Sequence, residues 1–257
     1  MTIPDSVTSI EKDVFTGCND LLFDTTTIPG VKLVDGWAVG NMGTLSGNLD
    51  LTGVRGIGDH AFNGCSRLTS VTISDSITRI GSGTFSGCYS LTSVTIPDSV
   101  TSIGSSAFSS CYSLKSVTIP DSVTSIDNLA FYDCDGLMSV TISNSMTSIG
   151  YEVFRDCSSL ASVTIPDSVT SIGYGTFSGC IGLTSVTIPD GVTSIGERAF
   201  RYCSGLTSVE FKGNAPIVGH NAFTNVASGC KAIISPTATG FPAAGETWNE
   251  LIVEIKQ

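Results

Sequence analysis

The sequence predicts a β-rich solenoid built from coils of 23 residues, and three observations support this prediction. A cysteine recurs at one 23-residue step, at Cys65, Cys88, Cys111, Cys134, Cys157, Cys180 and Cys203. A phenylalanine keeps the same step three residues ahead of each cysteine, from Phe62 to Phe200. Each cysteine is followed by a short β-branched run such as Val94-Thr95-Ile96. A fixed period of this length is typical of repeat proteins in which each coil buries its apolar face only against its neighbours.

One coil, residues 91–113, shows what each part is expected to form. Ser93 and Thr95 alternate with apolar residues, which predicts a strand of a parallel sheet along one side. Pro97 ends that strand, because proline lacks the N–H and presets φ. The chain continues with a second extended piece, then with a glycine that lets the backbone turn, and then with residues 105–111. We expect those last residues to form one tight helical turn around Phe108, so short helical turns and strands occupy the other side.

The chain is predicted to be a single solenoid over residues 1–257. We divide it into a first coil (1–21), an irregular hairpin insertion (22–50), regular coils (51–209) and a C-terminal cap (210–257). The first residues match the middle of a repeat, so we interpret the given sequence as a piece of a longer chain. We expect its uncapped N-terminal edge to allow self-association. Within the insertion, Asp35-Gly36 predicts a hairpin over residues 31–40. Trp37 is then either the anchor of a protruding recognition hairpin or a residue packed inward, and the need to cover Leu33, Val34 and Val39 favours the second.

The nine cysteines are predicted to be buried free thiols rather than disulfides. Equivalent residues of stacked coils lie about 4.8 Å apart with parallel side chains. A disulfide needs Cβ atoms about 3.8 Å apart on converging bonds. Free cysteine packs as a small hydrophobic residue, which fits a column inside the solenoid.

The composition argues against several classes of partner. Charged residues make up 14% of the chain and the formal net charge is −11, so the basic surface expected of a nucleic-acid-binding protein is absent. The sequence has no apolar window long enough to span a membrane. We therefore expect neither nucleic-acid binding nor membrane insertion.

The repeat pattern Leu-x-x-Val-x-Ile-Pro-x-x-Val-x-x-Ile-Gly-x-x-Ala-Phe-x-x-Cys resembles the BspA-like, treponemal-type leucine-rich repeat. Its departures are Ser74 and Ser143 for proline, Asp127 for glycine and Met146 for valine. The resemblance implies a gently curved, right-handed solenoid on a secreted or cell-surface protein. It also implies an adhesion or protein-interaction role, with a protein or glycan of a host or neighbouring cell as the partner. The given sequence shows no signal-peptide pattern, and we expect this to say little about location because its first residues match the middle of a repeat.

Catalytic chemistry is not indicated by the sequence. His60 and His220 lie 160 residues apart, about seven coils, so they cannot share a metal or a catalytic triad. We therefore expect no enzyme activity and no cofactor. A column of acidic residues follows the strands, at Asp5, Asp75, Asp98, Asp121, Asp167 and Asp190, with Asn144 in the gap. We expect these carboxylates to accept backbone N–H bonds within their own turns, with a Ca²⁺ site as the less favoured alternative.

The strand side is the predicted binding surface. Ser-x-Thr pairs stack there into two files of hydroxyl groups, because residues two apart on a strand share a face. The residue before each pair varies and is expected to supply selectivity. The candidate binding residues are Ser93, Thr95, Lys115, Ser116, Thr118, Met138, Ser139 and Thr141, with Trp37 as an accessory. Two alternatives stay open: ice binding by the Ser-x-Thr files, and a structural spacer. The tyrosines are interpreted as scattered.

Overall fold

The computed structural model describes residues 1–43 and 45–256 and shows a solenoid whose coils stack in parallel. The strands of the long side are β3 (Ser46–Asp50), β5 (Arg67–Thr72), β7 (Ser93–Thr95), β9 (Ser116–Thr118), β11 (Ser139–Thr141), β13 (Ser162–Thr164), β15 (Ser185–Ile188), β17 (Ser208–Phe211), β19 (Lys231–Ile234) and β21 (Leu251–Ile255). They form two parallel ladders, β3-β5-β7 and β9 through β21. The predicted fold class is confirmed.

A second row of two-residue strands follows the proline turns. Its members are β4 (Gly56–Ile57), β6 (Arg79–Ile80), β8 (Ser102–Ile103), β10 (Ser125–Ile126), β12 (Ser148–Ile149), β14 (Ser171–Ile172), β16 (Ser194–Ile195) and β18 (Ile217–Val218). The elements outside the two rows are a 3₁₀ turn (Asp20–Leu22), β1 (Val31–Val34), β2 (Trp37–Asn41) and β20 (Thr247–Trp248). β20 pairs antiparallel with β21 at the C-terminal end of the sheet.

The third side of each coil is not helical, so the predicted helical turn is wrong. Ser106 and Ser110 have φ angles of 54° and 57°, in the left-handed region that ends a right-handed helix. The N–H of Phe108 donates to the carbonyl of Ala130 in the next coil at 2.8 Å. Alternate N–H groups therefore bond between coils, and Gly104 is needed because a Cβ there would lie 2.7 Å from the Ser82 nitrogen of the preceding coil.

The core is a column of phenylalanines and cysteines, as the sequence predicts. Phe62, Phe85, Phe108, Phe131, Phe154, Phe177, Phe200 and Phe223 form what we call the phenylalanine ladder, in which successive ring centroids lie 5.2–5.6 Å apart. All nine cysteines are free thiols, and all but Cys18 are buried. The Cys111 thiol donates to the carbonyl oxygen of Phe85 at 3.3 Å, and this bond recurs from Cys88 to Cys203. The thiols therefore satisfy backbone acceptors inside the core.

The N-terminal region has a separate small core. β1 and β2 form the predicted antiparallel hairpin, with Asp35 and Gly36 both at positive φ. Trp37 is 5% exposed and packs with Ile3, Ile10 and Val34. The accessory role proposed for Trp37 as a protruding anchor is wrong, because the ring is enclosed by the first coil.

Candidate functional site

The strand side presents the Ser-x-Thr pairs in register. β9, β11 and β13 align Ser116 with Ser139 and Ser162, and the threonines two residues later align in the same way. The serines and threonines are exposed while the valine between them is buried. We call the surface formed by Ser93, Thr95, Lys115, Ser116, Thr118, Met138, Ser139 and Thr141 the hydroxyl face.

The hydroxyl groups of this face remain available to a partner. In the described part of the chain, no intramolecular hydrogen bond uses the hydroxyl of Ser93, Thr95, Ser116, Thr118, Ser139 or Thr141. Hydroxyl groups of two other columns form hydrogen bonds within the solenoid. The Ser99 hydroxyl donates to the Ile77 carbonyl at 2.7 Å, and the Thr92 hydroxyl donates to the Thr69 carbonyl at 2.9 Å. The hydroxyl face therefore differs from these two columns, and also from Ser70 of the same serine file, whose hydroxyl donates to Asn48 Oδ1 at 2.9 Å.

The hydroxyl face is not one uninterrupted lattice. The hydrogen-bonded ladder that contains β7 ends there, and a second ladder begins at β9. Val94, the inward residue of β7, is half-buried, whereas Val117 of β9 is buried. Ser93 and Thr95 thus belong to one sheet, and the remaining hydroxyls of the face to the next.

The variable position in front of each pair differs in size and charge at the surface. Lys115, Met138 and Ala161 are all exposed on adjacent coils, and Met138 is 52% exposed. A cation, a flexible apolar side chain and a methyl group therefore follow one another along an otherwise uniform surface.

The acidic column does not act as predicted. The turn after β7 is closed by the backbone bond from the Val100 N–H to the Pro97 carbonyl at 3.0 Å, with no part for Asp98. Asp121 accepts from the N–H of Asn144 in the next coil at 2.8 Å, so it bonds between coils rather than within its turn. Within residues 1–43 and 45–256, no group of three or more His, Cys, Asp or Glu side chains is arranged to hold a metal ion.

The two histidines lie in different coils near opposite ends of the phenylalanine ladder. His60 precedes Phe62 and His220 precedes Phe223, the first and last residues of that ladder. The structure therefore does not bring them together. Across the residues that the structure covers, no helix has the length and apolar character that a bilayer crossing requires.

Four of the six tyrosines form two stacked pairs, a feature that the interpretation of the tyrosines as scattered missed. Tyr89 stacks on Tyr112 with ring centroids 5.1 Å apart, and Tyr151 stacks on Tyr174 at 4.9 Å. Members of each pair are 23 residues apart, so the repeat period itself contained the signal. The Arg198 guanidinium also lies over the Tyr174 ring, 5.5 Å from its centroid. Two short aromatic stacks therefore lie outside the core.

Comparison with known proteins identifies the repeat. The family profile described as BspA type leucine rich repeat region matches in 6 copies over residues 1–32, 38–161 and 125–241. A leucine-rich repeat protein from Bacteroides ovatus is 27% identical with a TM-score of 0.63, over 96% of this chain and 69% of that one. A leucine rich repeat protein from T. pallidum is 30% identical with a TM-score of 0.53, over 71% of this chain and 75% of that one. No curated protein matches the sequence.

Proposed function

Because the chain belongs to the BspA-type leucine-rich repeat family, we propose that it is a non-enzymatic binding scaffold whose hydroxyl face contacts a protein or glycan. The observation that supports this proposal most is the set of exposed serine and threonine hydroxyls without intramolecular partners. Unpaired hydroxyls on a rigid sheet offer donors and acceptors at fixed spacing, while Lys115 and Met138 add local selectivity.

The proposed setting is the cell surface or the extracellular space, with adhesion as the biological role. We infer this location and this role from the resemblance of the repeat to that of BspA-like surface proteins. The partner would then be a molecule of a host or neighbouring cell.

The test separates binding from folding. Immobilised protein is used to capture host extracellular-matrix proteins and is applied to a glycan array. The double variant Lys115→Ser/Met138→Ser is expected to lose capture by about tenfold or more with an unchanged thermal melt, because both side chains are exposed. The matched control Lys12→Ser/Met42→Ser removes the same residue types from the N-terminal end and is expected to retain capture. Equal capture by both variants would contradict the assignment to the hydroxyl face.

Ice binding is a second candidate for the same hydroxyl files. The repeat of the files matches ordered water only over an unbroken flat sheet, and the interruption between β7 and β9 lies within the hydroxyl face. That interruption favours the scaffold. If the purified protein showed thermal hysteresis and shaped ice crystals, ice binding would become the favoured function and the scaffold the alternative. If neither ice nor any partner is bound, the spacer interpretation takes their place.

Self-association through the N-terminal edge stays a prediction. It is supported by the exposure of apolar residues in the first coil, where Val14 is 58% and Leu21 is 92% exposed. Sedimentation velocity over a hundredfold concentration range measures it. A protein that stays monomeric throughout would contradict it.

A further inference from the structure

β3 is the first strand of the long side, and it has a hydrogen-bonded neighbour on one side only. Among the residues that the structure describes, the ladder runs β3-β5-β7, so β5 is paired on both sides while the outer edge of β3 is open. At the other end of the long side, the antiparallel strand β20 covers the edge of β21. An open edge presents N–H and C=O groups to which another strand can bond.

The hairpin insertion accounts for this open edge. In a regular coil the strand of the long side begins five residues after the core cysteine, as β9 does after Cys111. The same step after Cys18 leads to residues 23–25, which do not pair with β3. Asp24 instead forms a bridge with Leu33 of β1, through two backbone hydrogen bonds of 2.9 Å. The segment that would precede β3 in the sheet is therefore held by the hairpin.

The main chain of β3 directs polar groups toward the open side. The N–H of Leu51, the residue directly after β3, donates to the Thr72 carbonyl of β5 at 2.9 Å. Successive residues of a strand point their main-chain groups to opposite sides, so the N–H and carbonyl of Asn48 and Asp50 point away from β5. Within the described part of the chain, no backbone hydrogen bond other than those of the β3–β5 ladder involves residues 46–50. Two N–H groups and two carbonyls are thus available to an added strand.

A groove of about 650 Å³ lies along this edge. It is lined by the turn at residues 27–30 and by β3 with its flanking residues. Ile28, Leu45 and Leu49 contribute apolar side chains to the lining. The volume falls within the range of about 300–1,000 Å³ that is usual for ligand pockets. The groove is therefore large enough for a short chain segment and too small for a folded domain.

The groove carries a negative charge. Asp50 is the one charged residue among the described residues that line it. Its Oδ1 accepts from the Thr52 hydroxyl at 2.6 Å and from the Thr52 N–H at 2.9 Å, and these bonds lower the pKa of the Asp50 carboxyl. The carboxylate is therefore ionised at neutral pH, and in the described chain its Oδ2 has no hydrogen-bond partner. Charge complementarity favours a partner with a basic side chain at this point.

We propose that β3 binds an extended, basic peptide segment of a partner protein, which adds to the sheet as a further strand. Main-chain hydrogen bonds to Asn48 and Asp50 hold the segment, and side chains at alternate positions select it. An apolar side chain enters the groove beside Leu49, and a lysine or arginine on the opposite face of the segment pairs with the Asp50 carboxylate. The site lies outside the hydroxyl face, so this inference goes beyond the proposed function and is tested separately from it.

A second copy of this chain fits the edge less well than a basic peptide. Each copy has a net charge of −11, and pairing two β3 edges would bring both Asp50 carboxylates into one short interface. The bulge after Gly47 also shortens the regular part of the edge to residues 48–50, and bulges of this kind hinder edge-to-edge pairing of whole sheets. Three residues still suffice for the backbone bonds of a peptide.

The test titrates the intact protein into labelled seven-residue peptides and follows fluorescence polarisation. The probe Ser-Thr-Val-Lys-Val-Thr-Ser alternates the side chains of an added strand and carries one cation. We expect it to bind about fivefold or more tightly than the same peptide with glutamate in place of lysine. Equal binding of the two peptides, or failure of the lysine peptide to bind at millimolar concentration, would overturn the proposal.

N-methylation of the peptide tests the backbone pairing, because it removes an N–H donor and keeps the side chain. One peptide is methylated at both valines, and the other at the lysine and both threonines. Only one of these alternate sets faces β3, so one peptide should bind about tenfold or more weakly and the other like the parent peptide. Loss with the valine set indicates a parallel strand, and loss with the other set an antiparallel one. Equal effects of both sets would contradict strand addition.

Variants of the protein test the charge. Asp50→Asn keeps the Oδ1 acceptor for Thr52 and should weaken binding of the lysine peptide about two- to fivefold, with no loss for the glutamate peptide. The matched control Asp98→Asn removes another exposed carboxylate, in the turn after β7, and should change neither affinity. An equal effect of the two variants would contradict the assignment to this edge.

Amide hydrogen exchange places the ligand on the protein. Exchange at Asn48 and Asp50 should slow when the lysine peptide is bound, because their N–H groups then have acceptors. Protection of the same amides without peptide, together with dimers in sedimentation velocity, would assign the edge to a second copy and overturn the proposal. Peptide binding that leaves both amides unprotected would overturn it as well.

Discussion

The first coil and the regular coils carry the same motif but bury it differently. Phe131 and Cys134 are fully buried, whereas Phe15 is half-buried and Cys18 is exposed. The difference lies in the neighbours. Phe131 is stacked between Phe108 and Phe154, whereas Phe15 lies at the margin of the small core and meets Phe23 edge-on at 6.4 Å. In a solenoid, therefore, a motif residue becomes a core residue only where a coil packs on each side of it.

The β1–β2 hairpin explains why the first coil has a small core of its own instead of joining the core of the regular coils. β2 pairs in parallel with β4 and so takes the place of a preceding coil in the second row of strands. Trp37 then fills the space between the hairpin and the first coil, which produces the small core with Ile3 and Ile10. Five experiments test this division between the two regions.

Alkaline pH should produce the largest difference in stability between the regular coils, which hold the buried thiols, and the first coil, whose Cys18 is exposed. Burial raises the pKa of Cys88 and Cys203 to about 12, from an ordinary value of 9.0. The folded state therefore keeps protons that the unfolded state releases. The contribution of these thiols to the free energy of unfolding is fully present below pH 9. It falls as pH rises from 9 toward 12, by about 1.4 kcal/mol per pH unit for each such thiol. Urea melts between pH 8 and 11 measure this loss.

Thiol labelling assigns the alkaline effect to a region. At neutral pH the exposed Cys18 should react with a maleimide at once, while the buried thiols react only on unfolding. The variant Cys88→Ala/Cys203→Ala should show a smaller loss of stability between pH 8 and 11 than the parent. Immediate labelling of several cysteines at neutral pH would refute the division.

Truncation of phenylalanine compares the two regions directly. Phe131→Ala removes the centre of the ladder and should cost about 3–5 kcal/mol in the free energy of unfolding. Phe15→Ala, at the same motif position in the first coil, should cost about 1 kcal/mol because its ring is only half-buried. Denaturant melts of both variants provide the measurement, and equal losses would contradict the comparison.

A methyl group at Gly56 tests the small core. A Cβ there would lie 2.4 Å from the Trp37 ring, so Gly56→Ala should displace the indole and cost about 1–3 kcal/mol in the N-terminal region. The change is measured as a red shift in tryptophan fluorescence. The control Gly58→Ala meets its nearest atom at 3.4 Å and should shift the emission much less.

The smallest effect should come from Arg55. Its guanidinium bridges Asp5 and Asp35 at 2.7 Å each, which ties the first coil to the hairpin. Arg55→Ala should cost about 0.5–1 kcal/mol, because the pair is partly exposed, and should expose residues 1–21 to limited proteolysis. Arg79→Ala, which breaks the 3.0 Å pair with Asp59 in the regular coils, should leave the cleavage rate unchanged.

The regular coils were predictable because every inward residue repeats at one step. The start of the sheet was not, because a bulge between Gly47 and Asn48 shifts the register of β3 within the segment assigned to the insertion. The inward orientation of Trp37 was favoured by the apolar residues beside it. Its fit also depends on Gly56, nineteen residues away, where a Cβ would lie 2.4 Å from the ring. The third side was assigned to a helical turn because the coil used for the prediction has serines at the two left-handed positions, Ser106 and Ser110. The equivalent residues of two other coils are glycines at positive φ, Gly83 and Gly87, and Gly175 and Gly179, and this signal was missed.

The candidate site was predictable in part. The files of Ser-x-Thr pairs follow directly from strand alternation. The structure exposes both residues of the pairs on β7, β9, β11 and β13, whereas Ser70 and Ser208 are half-buried. The freedom of the hydroxyl face from intramolecular hydrogen bonds could not be predicted, because Thr92 is also exposed yet its hydroxyl donates to the preceding coil. The tyrosine stacks were missed because each involves only two coils.

The uniform spacing of the phenylalanine ladder has a consequence for how such a chain changes in length. Removing residues 114–136 would join Ser113 to Leu137, and the motif would continue in phase because Leu114 and Leu137 are equivalent. The Phe108 ring would then meet Phe154, at the distance at which it now meets Phe131. An evolving gene could gain or lose such units by recombination, and each event would alter the reach of the protein by about 4.8 Å while every surviving coil kept an equivalent neighbour.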